Sequence, residues 1–297
     1  MENSTESSGQ NLTNPSDFRV ITSLAFHLIT NIEGLLGICG NFLLILVVAK
    51  YRKLQTPSSM ILINLSLSDL LNSLNPFLMA IMAILKIYNN FTVWKVLCFV
   101  KLFFTVLGIS GNLGALGFLA VDRFIAIRFL VFYKNKVKNT IMVKLMMIMW
   151  GIILALTGYR MTTYDVIPKK ICNESEMLMG EFFVRANYVV VIIVALMSVT
   201  IYSYIMYYYR KHLNTVAALG GLQGGATAGQ IEGNLQRQKK VAVMVVQIVT
   251  IYYISYIPLL LTLHYNATHP YKLIGLAFLY INSFVNPFIA FQPSNFK

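Results

Sequence analysis

Charge is what this sequence has least of. Only 12% of its 297 residues are Asp, Glu, Lys or Arg, about half of the ~25% usual in soluble domains. Acids are the scarcer sign, 11 against 24 Lys and Arg, for a formal net charge of +13. Hydrophobic residues make up 57% and mean hydropathy is +0.66. That excludes a disordered chain, which is poor in aromatic and β-branched residues. It also argues against a soluble nucleic-acid binder, because a basic binding face must be exposed and here the basic residues lie between apolar runs. Three cysteines are too few for a disulfide-stapled miniprotein. The four histidines (His27, His212, His264, His269) do not cluster at metal-ligand spacing. Nucleophile elbows and phosphate-binding glycine loops are missing too, so no enzymatic constellation is visible. The class that remains crosses a membrane several times.

Seven apolar stretches of about 20 residues or more predict seven transmembrane helices. They lie near Val20–Val48, Ser58–Leu85, Val96–Ile127, Ile141–Tyr159, Phe183–Tyr209, Val241–Leu263 and Ile274–Phe291. No period-two alternation suggests barrel strands, so the fold class is an all-α membrane bundle. Residues 1–19 form a polar tail without the basic start and apolar run of a signal peptide, so the first span is expected to serve as its own insertion signal. Residues 20–291 form the seven-span domain, and 292–297 a short tail. Most connections are short, which sets neighbouring helices antiparallel. The exception is the Gly-rich segment 213–234, expected to be a flexible coil, native or introduced.

Basic residues set the orientation. Lys50, Arg52 and Lys53 follow span one; Arg128, Lys134, Lys136 and Lys138 follow span three; Arg210, Lys211, Arg237, Lys239 and Lys240 follow span five. The alternate connections are poorer in Lys and Arg, or balance them with Asp165, Glu174, Glu176 and Glu181. The N-terminus is therefore expected outside and the C-terminus inside. Glycosylation sequons at Asn3, Asn11, Asn90, Asn173 and Asn266 all fall on the predicted outside, whereas Asn64-Leu65-Ser66 lies within span two.

An ionisable group at mid-membrane costs about 2.5–3.5 kcal/mol on insertion scales, which makes each one a functional candidate. Asp69 is the plainest. Asn282, Ser283 and Asn286 share one face of span seven, and Asn41 and Asn112 add amides at similar depth. Such a set can hold a small cation such as Na⁺, or its members can bond one another and ordered water. Asp122-Arg123 ends span three at its inner face, either as a functional pair or as a snorkelling surface pair. Cys98 and Cys172 both face the oxidising side, as a bridge or as two thiols; Cys39 reads as a small packing residue within span one. Pro258 and Pro287 kink spans six and seven, as hinges or as static bends.

Taken in order, these residues resemble the rhodopsin-like (class A) G protein-coupled receptors. The likeness is carried by Gly40-Asn41, LSLSD ending at Asp69, Trp94 with Cys98, Asp122-Arg123-Phe124, Trp150, Pro258 and NSFVNP from Asn282 to Pro287. The resemblance implies a plasma-membrane receptor that binds an extracellular ligand and activates a heterotrimeric G protein. It implies a Cys98–Cys172 disulfide. It implies a Na⁺-binding cavity of Asp69, Asn112, Asn282, Ser283 and Asn286, with no other cofactor. It gives Asp122, Arg123 and Phe124 the role of coupling to the G protein.

The departures are specific. Phe124 replaces a tyrosine, Tyr256 a tryptophan, and span five has no proline. Gln238 replaces an acid that in some members pairs with Arg123, so raised basal activity is expected. Ala290 replaces a tyrosine that swings inward on activation, and Phe296 comes one residue early for the short membrane-parallel helix, which is expected to be incomplete. Thr105 stands where amine receptors carry aspartate, and Tyr280 where opsins carry the retinal lysine, pointing to a peptide or a small non-amine ligand. Candidate ligand contacts are Lys101, Thr105, Tyr256, His264 and Tyr280. The basic inner loops face anionic lipid and the G protein, accounting for the charge without nucleic acid. Two alternatives stay open: a seven-helix ion or proton transporter working through Asp69, and a non-signalling pseudo-receptor of the same fold.

Overall fold

The computed structural model describes residues 15–87, 91–163, 189, 191–204, 206–207, 211, 226–264 and 269–291. Their backbone is helical almost throughout. In chain order come α1 (Pro15–Lys50), a 3-10 turn (Arg52–Leu54), α2 (Pro57–Ile87), α3 (Phe91–Arg128), α4 (Leu130–Lys136) and α5 (Asn139–Thr163). They are followed by α6 (Val191–Tyr204), α7 (Ala226–His264) and α8 (His269–Ala290). Among the described residues, six helices hold stretches long and apolar enough to cross a membrane: Val20–Lys50, Pro57–Leu85, Thr92–Arg128, Asn139–Tyr159, Val243–Leu261 and Leu273–Ala290. They follow the expected spans closely. The fifth expected span, Phe183–Tyr209, is described only in part, by the shorter apolar α6.

Three expectations need correction. Residues 226–234, expected to be coil, are the first turns of α7. Each glycine there lowers helix propensity by about 1 kcal/mol, but Ala226, Ala228, Gln230 and Glu232 are good helix formers that extend the long apolar helix backward. The connection after span three, expected to be a loop, contains α4. Cys39 does not pack inside the bundle; it is exposed on the face of α1.

Helix burial shows which element is central. In the apolar stretch of α3, 61% of residues are buried, against 17% in α5 and 28% in α1. Leu113, Leu116 and Leu119 of α3 meet Ile61 and Leu65 of α2 and Val245, Ile248 and Tyr252 of α7 in one core. Val191 and Tyr202 bring α6 into it. Leu28, Met147, Ile148, Leu156 and Leu196, among many others, point outward. A soluble monomer does not expose apolar area on this scale; around a membrane bundle it meets lipid tails. Small residues let the helices approach. A Cβ on Gly37 of α1 would overlap the Ser73 side chain of α2, and one on Gly111 of α3 would overlap Ser68 and press on Trp150. Such close backbone approach supplies the van der Waals contact that drives helix association in lipid.

Candidate functional site

The polar residues gather at two levels along α3, with a third group toward its Cys98 end. Near the opposite end, Asp122 and Arg123 are both buried and form an ion pair at 2.5 Å. Asp122 Oδ2 accepts from Arg123 Nε at 3.0 Å and from Ser58 Oγ at 2.8 Å. Its Oδ1 accepts from the Tyr133 hydroxyl at 2.7 Å. Arg123 Nη2 also donates to Ser58 Oγ. The arrangement follows from the chain path: α3 ends at Arg128, and α4 turns Tyr133 back over the carboxylate while the antiparallel α2 begins beside it at Ser58. Burial and the Asp122 charge push the Tyr133 hydroxyl up to about 12, so it stays a donor throughout the physiological range. Phe124 packs at ring-centroid distances of 6.3 Å from Phe129 and 5.7 Å from Tyr204 of α6. Asp122-Arg123 is thus a buried, fully engaged pair rather than a snorkelling one.

The middle level centres on Asp69, which is fully buried. Its Oδ1 accepts from Asn112 Nδ2 at 2.9 Å and its Oδ2 from Asn286 Nδ2 at 2.8 Å, tying α2 to α3 and α8. Ser283 Oγ lies close to the carboxylate without making a full hydrogen bond. Asn282 is buried but does not bond Asp69, and its Oδ1 is unpartnered. Asn41 instead staples α1 to α8 through Ser283 O at 2.7 Å, with a second bond to Gly37 O at 2.9 Å. The amide oxygens of Asn41, Asn112, Asn282 and Asn286 are all buried without partners. A buried acceptor in this state costs about 1–3 kcal/mol, and a hard cation takes oxygen ligands of this kind. The donor set therefore fits a small cation. Among the described residues no three His, Cys, Asp or Glu side chains gather as ligands, so the set offers one negative charge and neutral oxygens.

At the Cys98 end, Cys98 is buried and disulfide-bonded; Cys172 lies outside the described residues. Lys101, Thr105, Tyr256 and Tyr280 are buried. Thr105 Oγ1 donates to Lys101 O at 2.9 Å, the Tyr280 hydroxyl to Met79 Sδ at 3.7 Å, and Tyr256 stacks on Tyr252 at 5.5 Å. His264 closes α7, with its side chain outside the described residues. Pro258 and Pro287 lie inside α7 and α8, and Pro76 lies inside α2 as well. Ala290 is buried against Leu44 and Val48 of α1. The asparagines of the five sequons expected outside all lie outside the described residues, as does the Gln238 side chain; Asn64 of the sixth sequon is buried and accepts from Trp150 Nε1 at 2.6 Å.

Several polar residues escaped the sequence reading as site residues, Asn64 having entered it only through its sequon. Asn64, Asn72 and Asn75 recur with Asp69 on α2, and Glu33 sits within span one with a buried, unpartnered oxygen. Polarity inside a span was the signal for all four. Nothing local marked Ser58 or Tyr133, whose partner Asp122 lies on another helix, 64 and 11 residues away respectively.

The family described as 7 transmembrane receptor (rhodopsin family) matches residues 40–289. The chain is similar to trace amine-associated receptor 7e of Mus musculus, 21% identical over 281 residues, covering 90% of this chain and 78% of the receptor. Rhodopsin of Sargocentron tiere is 30% identical over 116 residues, 39% of this chain and 31% of that protein. Probable C-C chemokine receptor type 3 of Mus musculus is 28% identical over 155 residues, 52% of this chain and 40% of that protein.

Proposed function

The chain belongs to the rhodopsin family of seven-transmembrane receptors, and from that premise we propose that it carries a signal from an extracellular ligand to a heterotrimeric G protein across the plasma membrane. The N-terminus is outside, so the Cys98 end of α3 faces the ligand and the Arg123 end faces the cytoplasm. Cys98 bridges to Cys172, and the outer sequons carry glycans.

The observation that carries this reading is the closed group of Asp122, Arg123, Ser58 and Tyr133. A guanidinium held under such a clamp is released only if the helix ends separate, and separation creates a basic crevice for a partner. A ligand acts by binding the open arrangement more tightly than the closed one, which shifts a two-state equilibrium. Pro258 and Pro287 each remove a helical hydrogen bond inside α7 and α8, which leaves those helices easier to bend. Asp69, Asn112, Ser283, Asn282 and Asn286 would hold Na⁺, which would supply a positive charge to neutralise the carboxylate.

The trace amine-associated relative is named for amines, but here Thr105, a neutral hydroxyl bonded to its own helix, stands where amine receptors carry an acid. The ligand is accordingly a peptide or a small non-amine molecule contacting Lys101, Thr105, Tyr256, His264 and Tyr280. Membranes bearing the full chain are expected to accelerate nucleotide exchange on purified heterotrimeric G proteins, and Arg123→Ala to remove that acceleration. Equal exchange with both forms overturns the signalling role. It would favour a non-signalling receptor of the same fold, a reading supported by Ala290, a small side chain packed against α1 where the family's movable tyrosine is missing.

A further inference from the structure

Asn72 takes no part in the hydrogen bonds around Asp69, yet it is placed to complete the site. It lies three residues after Asp69 on α2, on the same helical face and one turn nearer the Cys98 end. It is 1% exposed, and both atoms of its carboxamide are buried without a partner. The amide occupies space left open by Gly108 of α3, where a Cβ would overlap Asn72 Oδ1. Gly108 in turn precedes Asn112 by four residues, one turn along the same face of α3, and Asn112 is the donor to Asp69 Oδ1. The Asn72 amide therefore sits over the Asp69–Asn112 hydrogen bond on its Cys98 side. Side chains on a helix tilt toward its N-terminus, which on α2 is toward Asp69. Pro76, four residues on, has no N–H to give the Asn72 main-chain carbonyl, so that oxygen also lacks its usual helical donor. A buried amide without a protein partner and a mid-helix glycine each cost stability.

We propose that Asn72 is the closing ligand of a monovalent cation site, its amide oxygen completing from the Cys98 side the oxygen set that Asp69 begins. The cation is of the Na⁺ class. One carboxylate among neutral oxygens balances a single positive charge, whereas divalent sites of this kind gather several carboxylates. Gly108 is required because any side chain there would displace the amide. The inference rests on Asp69 being a cation centre, and the test separates the two.

The full chain, purified in detergent, is melted across a NaCl series with choline chloride holding ionic strength constant. The wild type is expected to gain melting temperature with Na⁺ but not with choline, and Asp69→Asn to lose the response. Asn72→Leu, similar in shape and apolar, is expected to shift the Na⁺ midpoint upward by about tenfold or more, in line with the loss of a supporting ligand. Gly108→Ala, which keeps the amide but pushes it aside, should shift it in the same direction and covers the case in which the Leu variant does not fold. Asn72→Asp, with a second carboxylate, should let Ca²⁺ stabilise the protein where the wild type ignores it. If Asp69→Asn abolishes the response while Asn72→Leu and Gly108→Ala keep the wild-type midpoint, Asn72 is not a ligand. If the wild type shows no Na⁺-specific shift, or Asp69→Asn retains it, the cation centre itself is overturned.

Discussion

Tyr133 donates to Asp122 Oδ1 at 2.7 Å, from a short helix that lies outside every predicted span. The acid next to Arg123 is thus restrained both by its own helix and by the following one. Removing the hydroxyl with Tyr133→Phe takes away one hydrogen bond to a charged group, of a type that contributes about 1.5–3 kcal/mol. Basal nucleotide exchange is expected to rise several-fold, read on membranes without added ligand, with the folded amount unchanged. An unaltered basal rate would show that α4 does not hold the pair.

The same hydroxyl sets a pH expectation. Its folded-state value is raised from 10.0 to about 12 by burial and the Asp122 charge. A group with a raised value contributes fully below its unfolded value and loses that contribution as pH climbs through the folded one. Tyr133→Phe should therefore change basal exchange by the same factor at pH 6 and pH 8. A ratio that varies across this window would mean that another group titrates at the clamp.

Trp150 Nε1 donates to Asn64 Oδ1 at 2.6 Å, joining α5 to α2. Asn64 Nδ2 is already buried without a partner, so Trp150→Phe leaves the whole amide unsatisfied. A loss of about 1–3 kcal/mol is expected, measured as a lower melting temperature in detergent. Asn64→Leu in the Trp150→Phe background should recover part of it, because apolar replacement of both partners removes the unpaired groups.

Two glycines make a matched pair. Gly111→Ala places a methyl against Ser68 and Trp150, whereas a Cβ on Gly151 meets nothing within 4 Å. Overpacking of this kind costs about 1–3 kcal/mol, so Gly111→Ala should lower the melting temperature. Gly151→Ala should be neutral or stabilising, up to about 1 kcal/mol from helix propensity. Equal effects would mean that the α2–α3–α5 approach is not as close as described.

Cys98→Ser removes the disulfide at the start of α3. A loss of about 2–4 kcal/mol is expected, with a matching fall in melting temperature when the wild type is treated with reductant. A wild type insensitive to reductant would show that the bridge contributes little to the fold.

The spans were legible because lipid enforces a simple rule: a segment of about 20 residues must be apolar, and its backbone must satisfy itself. Val20–Lys50 and Leu273–Ala290 therefore appear in the sequence almost residue for residue. Asp69 was legible because a charge there has no solvent, and Asn112 and Asn286 because their amides lie in spans that otherwise avoid polarity. The start of α7 at Ala226 was hidden, since glycine content reports local propensity while the helix is extended by the apolar segment behind it.

Composition and hydrophobic length alone determined that this is an all-helical membrane bundle with a charged group near its middle, because transfer into lipid acts on each segment independently. Which polar atoms meet was decided only by the packed helices. Asn112 and Asn286 reach Asp69 while Asn282 does not, and Tyr133 and Ser58 close on Asp122. Those pairings depend on rotation and close approach at glycines such as Gly108 and Gly111. Helix rotation and spacing are cooperative outcomes of all the contacts at once, and no single stretch of sequence contains them.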